Sequence, residues 1–192
     1  AGLRGALPIP LVEAWAEVGS LLTIEMGIPT LDLPMVRTLE GQHASEPDAR
    51  LRLLSAASAR GVGVRAMIDP LVPMLTDQAA TLRPLLSALS DVGVHRVSCR
   101  YLMLTRERAR ALTDRMSSMH RALIRGVFAD QPWLKPHAAG GPTEAHKLLP
   151  DVMRKKGHDR VVSEGARVGI VVDILDPSEG AHGRPVERLT QR

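Results

Sequence analysis

Two runs of branched apolar residues, Leu21 to Gly27 and Val62 to Val72, flank a stretch whose apolar residues recur at helical spacing. Between them Glu46 to Arg60 reads as the best helix of the chain. Ser45 is its candidate cap, Pro47 and Asp48 suit its first turn, and Leu51, Leu54, Ala57 and Ser58 fall on one face. Gly61 is its stop. A strand, a helix of more than a dozen residues and a second strand make a βαβ unit, whose natural product is a parallel pair. Thr23, Glu25, Thr30, Asp69 and Asp77 lie within or just beyond these strands. In α/β folds the C-terminal strand edge carries ligand sites, so function is sought there first.

The pattern extends in both directions. Residues Ala1 to Pro10 read as an entering loop, and Leu11 to Val18 as a short helix stopped at Gly19. Leu33 to Leu39 is a short helix with Asp32 as a candidate N-cap and Pro34 in its first turn. Asp77 to Val92 is amphipathic through Leu82, Leu85, Leu86 and Leu89, and Pro84 implies a late start or a kink. After Gly93, Val94 to Leu104 is a third strand and Thr105 to Val127 a long arginine-rich helix. Residues 130–143 are a Pro- and Gly-rich loop. Glu144 to Val168 is helical in outline, interrupted at Gly157, and Arg167 to Leu175 is one more strand before a polar tail. Repeated strand and helix in one order predicts an α/β fold: a partial (β/α) barrel or open parallel sheet with flanking helices, plus a helical C-terminal extension. The expected divisions are 1–129, the loop 130–143, and a helix-strand extension over 144–192.

Composition narrows the classes. At 192 residues and 44% hydrophobic, the chain can bury a core but is too small for two full enzyme domains. Its net charge of +4 comes mostly from arginine, because Lys135, Lys147, Lys155 and Lys156 are the only lysines. Such a balance permits contact with nucleic acid, yet a solvated arginine-rich surface is the favoured reading. Aromatic residues at 2% poorly supply a base-stacking surface, so Trp15, Tyr101, Phe128 and Trp133 read as packing residues. Cys99 stands alone, which excludes an internal disulfide or a multi-cysteine metal site and fits a reducing, cytoplasmic setting. No apolar run approaches the length of a membrane span. The chain begins at Ala1, so it reads as a processed product, an expressed piece or a fragment.

Candidate chemistry is sparse. His43, His137, His146, His158 and His182 sit in polar contexts without metal-pair spacing and read as surface residues, and His95 as an ordinary hydrogen-bonded histidine at a strand entrance. Ser20 and Ser98 lack the Gly-x-Ser-x-Gly turn that exposes a nucleophile. Gly61-Val-Gly63 precedes a strand, so it is a helix stop and not a dinucleotide loop. Glu25 and Asp69 differ, because a carboxylate within an apolar strand must face solvent, a cavity or a basic partner. Both are expected to look into one cavity from neighbouring strands, with Thr23 beside them and Arg65 or Arg100 as counter-charges. An ion pair at the sheet edge is the structural alternative to a ligand contact.

Thr30-Leu-Asp32, Arg37, Leu39-Glu40, Ala44-Ser45, Arg50-Leu51, Gly61-Val-Gly-Val64 and Pro70-Leu-Val-Pro73 with Asp77 follow one another in an order that resembles the middle of radical S-adenosylmethionine proteins of the spore photoproduct lyase-like group. The resemblance covers Leu21 to Leu104. It implies S-adenosylmethionine as cosubstrate and a [4Fe-4S] cluster held by a C-x-x-x-C-x-x-C loop, with reductive cleavage to a 5′-deoxyadenosyl radical. By position, Thr23 and Glu25 would serve the ribose and amino-acid part. Met67, Asp69 and the turn from Pro70 to Pro73 would approach the adenine. No catalytic residue and no metal ligand is assigned, and the substrate is open.

The sequence also departs from the group. The three-cysteine motif is missing, Met74 replaces the glycine after the second proline, and Gly41 replaces the proline after Glu40. Two readings follow: the C-terminal part of a longer radical enzyme, needing a missing N-terminal barrel segment or a partner to cover its sheet edge, or a cluster-free α/β module that binds a ligand or partner.

Overall fold

The computed structural model describes residues 2–3, 14, 17, 22–135 and 144–176. Five parallel strands form one sheet in the order β1-β2-β3-β4-β7, with β1 (Gly2–Leu3), β2 (Thr23–Gly27), β3 (Gly63–Leu71), β4 (Arg96–Tyr101) and β7 (Val171–Ile174). Among the described residues β1 and β7 are its two edges, so the sheet is open and not a closed barrel. The connections are α1 (Leu33–Glu40) and α2 (Pro47–Ser58) from β2 to β3, and α3 (Ala79–Asp91) from β3 to β4. Beyond β4 come β5 (Leu104–Thr105), α4 (Arg106–Arg115), α5 (Ser118–Phe128), β6 (His146–Lys147) and α6 (Asp151–Ala166). β5 and β6 pair antiparallel as a separate ribbon.

Side chains alternate along each strand, so one face of the sheet is apolar. Ile24, Met26, Ala66, Ile68, Val97 and Cys99 form that face. With Leu53, Leu54 and Ala57 of α2 and Leu82, Leu85, Leu86 and Leu89 of α3, they make one buried cluster. Each leucine so buried contributes roughly 1.5–3 kcal/mol, which is why the helices dock on this side. Gly61 and Gly93 end α2 and α3 at φ of 76° and 86°, a conformation that carries little penalty only without a Cβ.

Several boundaries differ from the sequence expectation. The first residues are not all loop, because Gly2 and Leu3 pair with Glu25 and Met26. α2 is capped at Glu46, with Pro47 at its first position, and Ser45 instead accepts from the Arg50 side chain. α3 starts late, at Ala79, and runs through Pro84. The single helix expected over 105–127 is two, since Met116 is extended and buried and Ser117 caps α5 by accepting from the His120 amide. Thr105 caps α4 in the same way. α6 begins only at Asp151 and passes uninterrupted through Gly157. β7 pairs with β4 and therefore completes the sheet. The helix expected over 11–18 lies largely outside the described residues, and the tail beyond 176 wholly so.

Candidate functional site

Register determines which polar residues share the face turned away from the helices. Glu25 pairs with Arg65, Gly27 with Met67, Met67 with Ser98, and Ser98 with Asp173. Residues in register in a parallel sheet project to one side, and those two apart along a strand do likewise. The face therefore carries Thr23 and Glu25, then Arg65 and Met67, then Arg96, Ser98 and Arg100, then Asp173.

The Glu25 side chain lies across β3. Its Oε1 accepts from Ser98 Oγ at 3.0 Å, although Ser98 belongs to the strand beyond. That reach holds a half-exposed carboxylate over the middle of the sheet beside Met67. Asp69, buried near the end of β3, accepts from Arg100 Nη2. Arg96 makes a two-pronged contact to Asp173 at 2.6 and 2.8 Å. Arg65 is exposed and forms no ion pair among the described residues. Of the two counter-charges expected for Asp69 and Glu25, Arg100 is thus engaged, and the edge ion pair coexists with an open carboxylate at Glu25.

Thr23 departs from the expectation of one cavity at the C-terminal edge. It is the exposed first residue of β2 and pairs with Gly63, six residues before Asp69, so about 20 Å of strand separates the two positions. Along the face the order is Thr23, Glu25, Met67 and Asp69: Thr23 lies two residues before Glu25, Glu25 is level with Arg65, and Asp69 is four residues beyond that level. Pro70 is half-buried after a cis peptide, and Pro73 is buried in the turn that follows.

That turn is organised by Asp77, whose role the sequence did not reveal. Its Oδ1 accepts from the Met74 amide at 2.7 Å and its Oδ2 from the Tyr101 hydroxyl at 2.8 Å, while Arg160 donates to its backbone carbonyl at 2.7 Å. Burial and the Asp77 carboxylate push the Tyr101 hydroxyl well above its ordinary value, so it stays a donor. Met74 sits at φ 62°, the left-handed conformation that glycine adopts most readily. Met74, where the resemblance implies a glycine, thus holds a conformation that glycine adopts readily.

The histidines divide. His43 and His95 are exposed, His137 and His182 fall outside the described residues, and His146 and His158 are buried, contrary to the surface expectation. His158 packs on Tyr101 with ring centroids 5.1 Å apart, and burial lowers its basicity. Its Nε2 is buried without a hydrogen-bond partner among the described residues. Tyr101 and Phe128 are packing residues as expected, whereas Trp133 is 41% exposed beneath Arg106 and Lys147, and Trp15 lies outside the described residues.

Cys99 points into the helix layer, and burial pushes its thiol up to about 12. A buried, protonated thiol facing away from the polar side does not fit an iron-sulfur ligand. Among the described residues no three His, Cys, Asp or Glu side chains converge as a metal site would require. A small pocket lined by Gln131, Pro132, Leu134, Leu148, Leu149, Asp151 and Arg154 involves no residue of the sheet face.

No family model matches the sequence, and no curated protein matches it. Solved structures do. A doubly substituted spore photoproduct lyase with bound AdoMet and dinucleoside spore photoproduct superposes with a TM-score of 0.65 at 11% identity, over 89% of this chain and 49% of that one. A singly substituted form with the dinucleoside spore photoproduct gives 0.57 at 12% identity, over 78% and 44%. Another structure of a singly substituted spore photoproduct lyase gives 0.57 at 12% identity, over 78% and 43%. The chain spans about half the length of the structures it matches. An open parallel sheet flanked by helices, with its polar residues on the other face, is thus a partial α/β fold that this chain shares with the spore photoproduct lyase structures.

Proposed function

We propose that this chain is the C-terminal part of a radical S-adenosylmethionine enzyme and that its polar sheet face binds the cosubstrate. The observation that supports this reading most directly is the half-exposed Glu25 carboxylate, which accepts from Ser98, the residue in register with Met67, on the polar face of the sheet. The spore photoproduct lyase of the same fold was solved with AdoMet bound. A carboxylate in that place accepts from ribose hydroxyls, as acidic residues do in other nucleotide sites. Met67 and the Pro70 to Pro73 turn offer apolar contact to an adenine, and Asp69, held by Arg100, offers an acceptor at the strand end. Thr23, the exposed first residue of β2, lies two residues before Glu25 on the same face. The [4Fe-4S] cluster that would supply radical chemistry has no ligand set among these residues, so its cysteines belong to another segment or chain. The setting is a reducing, cytoplasmic one. The substrate is left open, and nucleic acid is a secondary reading carried only by the arginine-rich balance.

Titration calorimetry of the 192-residue chain with AdoMet tests the proposal. Saturable binding is expected, weakened about tenfold or more in Glu25→Gln, since one hydrogen bond to a charged group is worth roughly 1.5–3 kcal/mol. Absence of saturable binding, or an affinity indifferent to Glu25, overturns it. The buried thiol of Cys99 favours a second reading, a cluster-free binding module. Release of 5′-deoxyadenosine under reduction by the chain joined to a cluster-bearing segment discards that second reading, and binding without cleavage keeps it.

A further inference from the structure

Arg50 is fully buried, with 0% of its side chain exposed, in the second turn of α2. Its guanidinium ties together the end of β2, the end of α1 and the loop before α2. Nη1 donates to the Gly27 carbonyl at 2.6 Å, at the last residue of β2. Nη1 and Nη2 take the two carboxylate oxygens of Glu40, the last residue of α1, itself only 8% exposed. Nε donates to the carbonyl and hydroxyl of Ser45 at 3.1 Å each. Gly27 lies two residues beyond Glu25, and the amide of the following Ile28 is bonded to the Met67 carbonyl at 2.9 Å.

A buried ion pair seldom stabilises a fold more than a well-packed apolar pair of the same volume, because both charges are desolvated. What the polar pair adds here is direction. A planar fork with fixed donors aligns a strand end, a helix end and a loop at once, which neither an apolar side chain nor the point charge of lysine reproduces. We infer that Arg50 is a positioning residue: braced by Glu40, it holds the C-terminal end of β2 and the segment after it in the place that sets Glu25 over the sheet. The inference rests on the cosubstrate reading for its functional consequence, and on the geometry alone for its structural one.

The test compares wild type with Arg50→Lys, Arg50→Met and the paired change Glu40→Leu with Arg50→Met. Thermal melts, amide hydrogen exchange and AdoMet titration are read on each. Arg50→Met alone leaves a buried carboxylate without a partner and lowers the melting temperature; the paired change recovers most of that loss. In the paired variant the amides of residues 27–32 are expected to exchange about tenfold faster or more than in wild type, with β4 unchanged, and AdoMet affinity to stay about tenfold weaker. Arg50→Lys is expected to show the same local exchange with a smaller loss of stability.

Recovery of slow exchange along with stability in the paired variant, or wild-type exchange in Arg50→Lys, overturns the inference, because the pair would then be merely structural. If the paired variant does not fold, Arg50→Lys decides. If wild type binds no AdoMet, the cosubstrate reading fails while the exchange data still decide for or against Arg50.

Discussion

Gly157→Ala measures how tightly α6 is seated on the sheet. An ideal Cβ at Gly157 would lie 1.5 Å from the Tyr101 hydroxyl oxygen, 2.5 Å from Cζ and 3.0 Å from Cε2. The obstructing group is a ring, not a flexible side-chain end. The ring is fixed by the hydroxyl's hydrogen bond to Asp77 at 2.8 Å and by its packing on His158. Three terms compete. Alanine in a helix interior gains about 1 kcal/mol over glycine. Forcing the ring aside costs about 1–3 kcal/mol in overpacking. Breaking a hydrogen bond to a carboxylate costs roughly 1.5–3 kcal/mol more. The net expectation is destabilisation by about 2–5 kcal/mol, or a melting point lower by roughly 5–15 °C for a chain of this size. Urea unfolding followed by circular dichroism reads it. Because Tyr101→Phe removes the nearest clashing atom and the same hydrogen bond, its combination with Gly157→Ala should cost less than the two single changes added together. A Gly157→Ala protein as stable as wild type, or more so, refutes the close-approach argument and returns Gly157 to an ordinary helix position.

The remaining expectations concern the turn, the thiol and pH. Met74→Gly is expected to stabilise by up to about 1 kcal/mol, since relief of the left-handed strain exceeds the extra chain entropy of glycine and the methionine is 57% exposed; a loss in urea midpoint contradicts this. Cys99 is expected to resist a thiol reagent until urea unfolds the chain, its thiol being buried and pushed up to about 12, and rapid labelling in buffer would contradict the burial. His158 is held below its ordinary value of 6.5 by burial, with Arg154 acting in the same direction and Asp159 and Asp176 against it. The unfolded chain therefore takes up the proton first, so stability is full above about 6.5 and falls as pH drops toward the folded value. His158→Gln should flatten that part of the stability curve, and an unchanged slope contradicts the assignment. Glu164 lies below its ordinary 4.5 because Arg83 donates to it; its contribution is present above that pH and lost beneath it, and Glu164→Gln should flatten the slope there.

The sheet was legible because its strands alternate. Ile24 and Met26, Ala66 and Ile68, and Val97 and Cys99 mark the buried side by period two, and the flanking Glu25, Arg65, Arg96, Ser98 and Arg100 mark the other. Register was not legible, since it is decided by pairing between segments that sequence order does not align. The sequence therefore does not show that Ser98 donates to Glu25 from two strands away, nor that Thr23 starts its strand six residues before the level of Asp69. The Arg-Leu pair at Arg50 entered the motif without a role, because an apolar stripe through Leu51, Leu54 and Ala57 leaves an arginine outside, whereas the buried side is Arg50, Leu53, Leu54 and Ala57.

α6 makes the point most sharply. Its buried residues are Arg154, Gly157, His158, Val161, Glu164 and Gly165, spaced by three or four around a helix, yet only Val161 would count as apolar in a hydropathy pattern. Period and polarity disagree there because the helix is seated by two other means. Its glycines permit close approach, Gly157 to Tyr101 and Gly165 to the Ile170 carbonyl and Val172. Its buried charges find partners off the helix, Arg154 at Asp176 and Glu164 at Arg83. A glycine that looked like an interruption is the contact itself, which is why a methyl group at residue 157 is the sharpest probe of the packing.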